Sequence, residues 1–211
     1  MDGQAFRETV EDGMETELDR LGSNKLLVAL TDADLTTAAV LRVAAHSEHA
    51  ARETFRAWAA DEDDPLAREA FEDAAEREAE HLERVLDALD DPDFDPADGG
   101  PMHAYLRERE GAVERVAAGM VGRGLVSVRT HGQVISFFVN EAEERRADLF
   151  RDLRAETRAS LERGLDLLDA LCDDEGDWKR ARMVAEYVIQ VAYDDYADAL
   201  TDLGLDPRPI C

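Results

Sequence analysis

The chain has 211 residues, with 24 Lys and Arg against 50 Asp and Glu, and a formal charge of −26 at neutral pH. A chain of that length buries a substantial core as one large domain or two small ones, and helical apolar spacing through both halves favours one. So acidic a surface excludes nucleic acid and anionic lipid as partners, because both need clustered positive charge.

Lys25 and Lys179 are the only lysines, the remaining basic residues being arginine. Self-repulsion among the carboxylates costs stability at ordinary salt, whereas at molar salt the Debye length falls to about 3 Å and most of that cost disappears. The composition points to a salt-rich cytoplasm, with an acidic protein of an ordinary cell as the alternative. Cys172 and Cys211 lack the close pairing of a zinc knuckle or redox loop, and Cys172 is expected in the core. Acidic residues from Glu8 to Asp19 interrupt any signal-like apolar stretch, and no run reaches the roughly 18 apolar residues of a membrane span. These features predict a soluble, cytoplasmic protein.

In chain order, residues 5 to 20 form a weakly apolar helix on Phe6, Val10, Met14 and Leu18, interrupted by Gly22 and Ser23. Thr31 to Asp34 offers capping oxygens for a long helix from Leu35 to about Ala60, striped by Val40, Ala44, Ser47, Ala51, Phe55 and Trp58. After the turn Asp61 to Asp64, Pro65 suits a first helical turn because its missing amide hydrogen leaves no extra bond unmade. The stripe Ala67, Phe71, Ala74, Glu78, His81, Val85 and Leu89 follows, and the short connection makes the two helices antiparallel neighbours. Pro92, Pro96, Gly99, Gly100 and Pro101 mark a crossover loop near 91–101.

Helix resumes near Met102, and Gly119, Gly122 and Gly124 mark either a break or a close helix contact. Residues 125 to 139 are strongly apolar, and helix is favoured there over a hairpin turning at His131-Gly132, on the strength of the helix-forming continuation from Glu141 to Phe150. Leu149, Leu153, Thr157, Ser160, Gly164 and Leu168 extend the helical spacing. A final helix runs from Trp178 to about Leu203, with Val184, Val188, Val191 and Asp195 on one face, and Pro207 and Pro209 end regular structure. The fold class is therefore all-α: a bundle with core helices near 35–60, 65–90, 122–146 and 147–172. Residues 1–34 extend it at the N-terminus and 173–211 pack a helix against it, and the last two core helices could be one rod because no glycine or proline lies at their junction.

Glu48 sits four residues after Ala44 and three before Ala51, inside the apolar stripe. A lone carboxylate there needs a cation, an arginine or a proton. Glu78 and His81, three residues apart, present a carboxylate and an imidazole on one helical face, which suits a metal. Solvated or hydrogen-bonded acids are the plainer reading of a segment that also holds Glu72, Asp73, Glu76, Glu80 and Glu83. His46 and His49 read as surface residues, His131 as a core, turn or interface residue that could approach the interior, and His103 as a helix-start residue with no further role.

Ala44 to Ala51, together with Phe71 to His81, resembles the ligand-bearing helix pair of the ferritin-like superfamily, more particularly the rubrerythrin-type diiron proteins. That resemblance implies a four-helix bundle, two non-haem irons used for peroxide reduction, oxygen activation or iron oxidation, and association as a homodimer. The implied metal ligands are Glu48, Glu78 and His81, with Glu141, Glu144 and Glu156 as further carboxylates and His131 or Asp195 as additional candidates. The second half departs from the pattern, because Glu156 is followed by Thr157, Arg158 and Ala159 rather than by a histidine one turn on. The site could be rebuilt from other ligands, hold one metal, or have decayed into a metal-free bundle for homo-oligomer formation or protein binding. No residue can be assigned a catalytic role from the sequence. Two cysteines cannot supply the four-cysteine iron site appended to many rubrerythrins.

If the surface carboxylates are an adaptation to concentrated cations, desalting should lower the melting temperature strongly, because like charges crowd at Asp61 to Asp64 and Asp90 to Asp95. Thermal melts across a potassium chloride series check this, and a melting temperature independent of salt is the contrary result.

Overall fold

The computed structural model describes residues 1–207; Pro209 and Cys211 lie outside the described residues. The chain is an all-α bundle, and no strand occurs among the described residues. Residues 125–139 are helical, so the hairpin alternative is excluded.

The N-terminal segment is three short helices: α1 (Gly3–Gly13), α2 (Glu15–Leu21) and α3 (Leu26–Leu30). The single helix expected over 5–20 is split at Met14, whose backbone leaves the helical region. Helix α4 (Thr37–Asp61) is capped by the Thr36 side chain on the Ala39 amide, just beyond the Thr31 to Asp34 stretch expected to cap it. Asp64 caps α5 (Pro65–Leu89), and Pro65 occupies the first turn as its chemistry predicts. These two helices pack along their length as an antiparallel pair. The crossover region precedes α6 (Pro101–Arg107), as expected.

The third core helix differs from expectation at both ends. It begins at α7 (Ala112–Arg115), passes through a π-helical segment at Val116–Gly122 and continues as α8 (Arg123–Asn140). The glycines therefore mark close contact rather than a break. A Cβ on Gly122 would lie 2.9 Å from the Ala185 carbonyl oxygen, and one on Gly119 would lie 2.5 Å from the Trp58 ring. The helix ends at Asn140, not 146, and α9 (Glu144–Leu171) begins after a three-residue turn. No single rod forms, because Ala142 adopts a left-handed conformation with φ of 58°. The amides of Glu141, Ala142 and Glu143 close the end of α8 by bonding back to carbonyls at Phe137, Val139 and Phe138. Neither glycine nor proline was needed to stop the helix.

Helix α10 (Glu175–Asp202) packs across the π segment and against α1, α2, α3 and α6. Ala181, Val184, Ala185, Val188 and Ile189 are all buried, so the C-terminal helix belongs to the core rather than to its periphery. The buried apolar side chains form two clusters. One gathers Phe55, Trp58, Phe71, Leu125 and the α10 stripe; the other gathers Val40, Leu41, Val85, Val134, Phe138, Phe150 and Leu153. Along α4, α5 and α8, the residues between these clusters are Glu48, Glu78, His81 and His131, so a polar layer divides the core.

Gly122→Ala should destabilise the fold by about 1–3 kcal/mol, since the backbone it meets cannot rotate away. Ala142→Gly should stabilise it by up to about 1 kcal/mol by relieving the left-handed alanine. Urea unfolding at fixed high salt measures both.

Candidate metal centre

Helix periodicity brings the chemistry together. Glu48 on α4 follows Ala44 by one turn, and Glu78 and His81 share the inward face of α5. All three are buried, with relative exposures of 2%, 5% and 0%. Carboxylate and imidazole atoms from these residues lie within 4.8 Å of one another. Four further residues surround them: Arg123 and His131 from α8, Glu156 from α9 and His103 from α6.

Arg123 forms the strongest contact. Its Nη1 and Nη2 donate to the two Glu78 oxygens at 2.9 and 3.0 Å, a paired geometry that matches the planar fork of the guanidinium to the carboxylate. Its Nη2 also lies 3.9 Å from Glu48 Oε2, and the guanidinium sits 5.8 Å from the Phe55 ring centre. Only 4% of Arg123 is exposed, so its charge is committed to these carboxylates.

His81 is held from two sides. Its Nε2 lies 2.7 Å from Glu156 Oε2, and its Nδ1 lies 3.6 Å from Glu48 Oε2. Glu156 is itself held by Arg84 at 3.1 and 3.2 Å. Burial raises the Glu156 carboxyl, but hydrogen bonds from His81 and Arg84 outweigh it and keep the group ionised. The Nε2 proton of His81 therefore donates to Glu156, and Nδ1 faces Glu48. Neither Glu48 Oε2 nor His81 Nδ1 has a hydrogen-bond partner. The other Glu48 oxygen lies 3.2 Å from His131 Nε2.

Burial pushes the Glu78 carboxyl up to about 7, Arg123 opposing the shift and the neighbouring Glu48 charge adding to it. Burial acts on Glu48 in the same sense, yet the neighbouring Glu78, His131 and His81 side chains outweigh it and hold the group well below the ordinary carboxylate range. For His81, burial opposes the charged ring while Glu48, Glu78 and Glu156 favour it, and the net shift is upward. The two buried carboxylates are thus pushed in opposite directions, Glu48 down and Glu78 up, each acting on the other.

One ligand atom from each of Glu48, Glu78 and His81 could reach a common cation, although the Arg123 guanidinium already bonds both Glu78 oxygens and sets a fixed positive charge against any metal there, a pair most of all. Of the further carboxylates expected, Glu156 reaches the layer, through His81. Glu141 and Glu144 are exposed near the α8–α9 turn, and Glu144 pairs with Arg151. Asp195 is exposed on α10 beside a cavity that also reaches Glu48, not within the Glu48, Glu78 and His81 cluster. His131 joins the layer because α8 is helical at that point. His46 and His49 are half-buried, and the His46 ring accepts from the Ala97 amide at 2.7 Å.

Sequence reasoning missed Arg123 and His103. A lone arginine inside the apolar run from Val116 to Val128 was the available signal for the first. His103 is 3% exposed and neither ring nitrogen has a hydrogen-bond partner, contrary to the simple helix-start role expected for it.

No protein-family model, curated protein or solved structure matches the chain. The described residues contain no helix long and apolar enough to cross a membrane.

Arg123→Ala should destabilise the protein by about 3–5 kcal/mol, because Glu78 would be left buried without its countercharge. The double variant Arg123→Met with Glu78→Gln should recover a large part of that loss. Denaturant unfolding of the three proteins checks the coupling.

Proposed function

We propose that this chain is a ferritin-like metal protein that holds one divalent cation, iron by its resemblance to the rubrerythrin-type proteins, on Glu48, Glu78 and His81. The observation that carries this reading is the state of the His81 ring. One nitrogen is tied to an ionised carboxylate, while the other faces an unpartnered oxygen of Glu48 across 3.6 Å. Metal-binding histidines are oriented in this way, the second ring nitrogen donating to a carboxylate that fixes the tautomer and raises the basicity of the first.

Iron held there would supply one-electron chemistry toward peroxide or oxygen. The surrounding residues prepare the site. Glu156, anchored by Arg84, fixes the direction of the His81 ring. Arg123 neutralises Glu78 and provides, as a permanent side chain, the positive charge that a second metal would bring. His131 restrains the remaining Glu48 oxygen. In this reading the departure of the second half from the diiron pattern is a replacement of one metal by an arginine.

The pairing of Arg123 with both Glu78 oxygens also favours a second reading. The layer can neutralise itself, leaving a metal-free bundle used for homo-oligomer formation or for binding another protein. Association as a homodimer follows from the resemblance and is compatible with either reading.

Elemental analysis of protein purified without chelator, followed by anaerobic ferrous titration, separates the two. One iron per chain is expected, with a melting temperature above that of chelated protein. Saturation at a hundredfold excess over Kd corresponds to about 2.7 kcal/mol of added stability. The iron-dependent increment should vanish in Glu48→Ala and His81→Ala, whatever those changes do to the metal-free protein. Two irons per chain would restore the diiron assignment, and no iron-dependent change would favour the metal-free bundle.

A further inference from the structure

A cavity of about 400 Å³ lies beside the polar layer. We infer that it binds a small neutral molecule with an apolar body and a hydroxyl head. Its walls are apolar side chains from several elements, among them Leu21, Leu26, Leu30, Val43, Val126 and Val134. Its polar lining includes Glu48, His103 and His131, which are 2%, 3% and 5% exposed. These three residues carry four atoms without hydrogen-bond partners: Glu48 Oε2, His131 Nδ1 and both ring nitrogens of His103. Unmet ring nitrogens on two histidines that line an otherwise apolar cavity mark a place where polar chemistry is to be met from outside the chain.

The same atoms define the ligand. His131 Nε2 lies 3.2 Å from the Glu48 Oε1 atom, which leaves Nδ1 as the ring nitrogen without a partner. His103 offers one donor and one acceptor, because burial, reinforced by the charges of Arg123 and Arg107, pushes its ring down to about 3 and keeps it neutral. A hydroxyl, which can both donate and accept, complements these ring nitrogens whichever of them carries the proton. Charged heads fit poorly. An anion would meet Glu48 and Asp195, which both line the cavity, and a cation beside His103 would meet the Arg123 and Arg107 charges that help keep that ring neutral.

The crossover loop holds His103 in place. Gly99, at φ of 78°, packs so closely that an added Cβ would lie 2.8 Å from both the His103 ring and the Ala50 side chain. Cavities of about 150 Å³ accommodate benzene, so this one suits a molecule on the order of ten non-hydrogen atoms. Unlike the metal reading, this inference needs no cation, because the walls and His103 are present in either state.

The test uses the full chain in molar potassium chloride, treated with chelator, and isothermal titration with four probes of one shape: 4-ethylphenol, ethylbenzene, 4-ethylbenzoate and 4-ethylbenzylamine. Saturable binding of 4-ethylphenol is expected, about tenfold tighter than ethylbenzene, with both charged probes weaker still. His103→Phe should remove the preference for the hydroxyl while retaining ethylbenzene. Leu30→Trp, at a half-buried wall position, should fill the cavity and abolish binding of both; Thr130→Phe, also half-buried and lining the cavity, serves the same purpose if that variant does not fold.

Absence of saturable binding by any probe, as for a site filled by water alone, would overturn the inference. So would equal affinity for ethylbenzene and 4-ethylphenol, tighter binding of a charged probe, or binding unaffected by the filling variants. Iron stoichiometry is measured separately. A chain that binds 4-ethylphenol but no iron loses only the metal reading, and one that binds iron but no phenol loses only this inference.

Discussion

The bidentate pairing of Arg123 with Glu78 is the interaction on which the interior depends. Two carboxylates and a guanidinium are removed from water at the centre of a bundle whose other buried side chains are mostly apolar. Such a group is tolerated only when every charge is matched, because leaving one ion alone costs several kcal/mol while an apolar replacement of the whole pair costs little. The layer is thus a poor source of stability and a strong source of specificity. It fixes the rotation of α4, α5 and α8 about their axes, since turning any of them would bury an unmatched charge.

That constraint explains the composition of the two apolar clusters. Small residues, Ala44, Ala45, Ala51 and Ala74, flank Glu48 and Glu78 along α4 and α5, letting the helices come close enough for side chains from different elements to meet. The π-helical segment at Val116–Gly122 serves the same end in the third core helix. Its wider turn changes the phase of the helix immediately before Arg123, and its glycines admit Trp58 and the backbone of α10. Segments of this kind are rare and frequently lie at functional sites, and here the side chain that follows is the one that reaches Glu78.

The polar layer and the cavity meet at Glu48. Glu48 belongs to both: one oxygen meets His131, and the other lies between His81 Nδ1 and the Arg123 guanidinium. A metal on the inner side and a neutral hydroxyl compound on the outer side would therefore share a single carboxylate. The acidic exterior plays no direct part in this chemistry. It is a net negative surface whose self-repulsion salt would screen.

The sequence by itself determined the all-α class, the α4–α5 pair with its proline start, the crossover loop, and the inward direction of Glu48, Glu78 and His81, because each depends on local periodicity or on the chemistry of one residue type. It also made His131 a candidate contingent on helix. Tertiary structure alone decided the rest. Ala142 ends α8 through a left-handed turn that neither glycine nor proline announces. The phase change across Val116–Gly122 conceals that Arg123 faces Glu78, since an unbroken 3.6-residue period does not hold through a π segment. Glu156 reaches His81 from a fourth helix, whereas Glu141 and Glu144, equally acidic in sequence, are exposed where α8 gives way to α9. Partners on different helices are chosen by how those helices are rotated and spaced, and a local pattern records neither quantity.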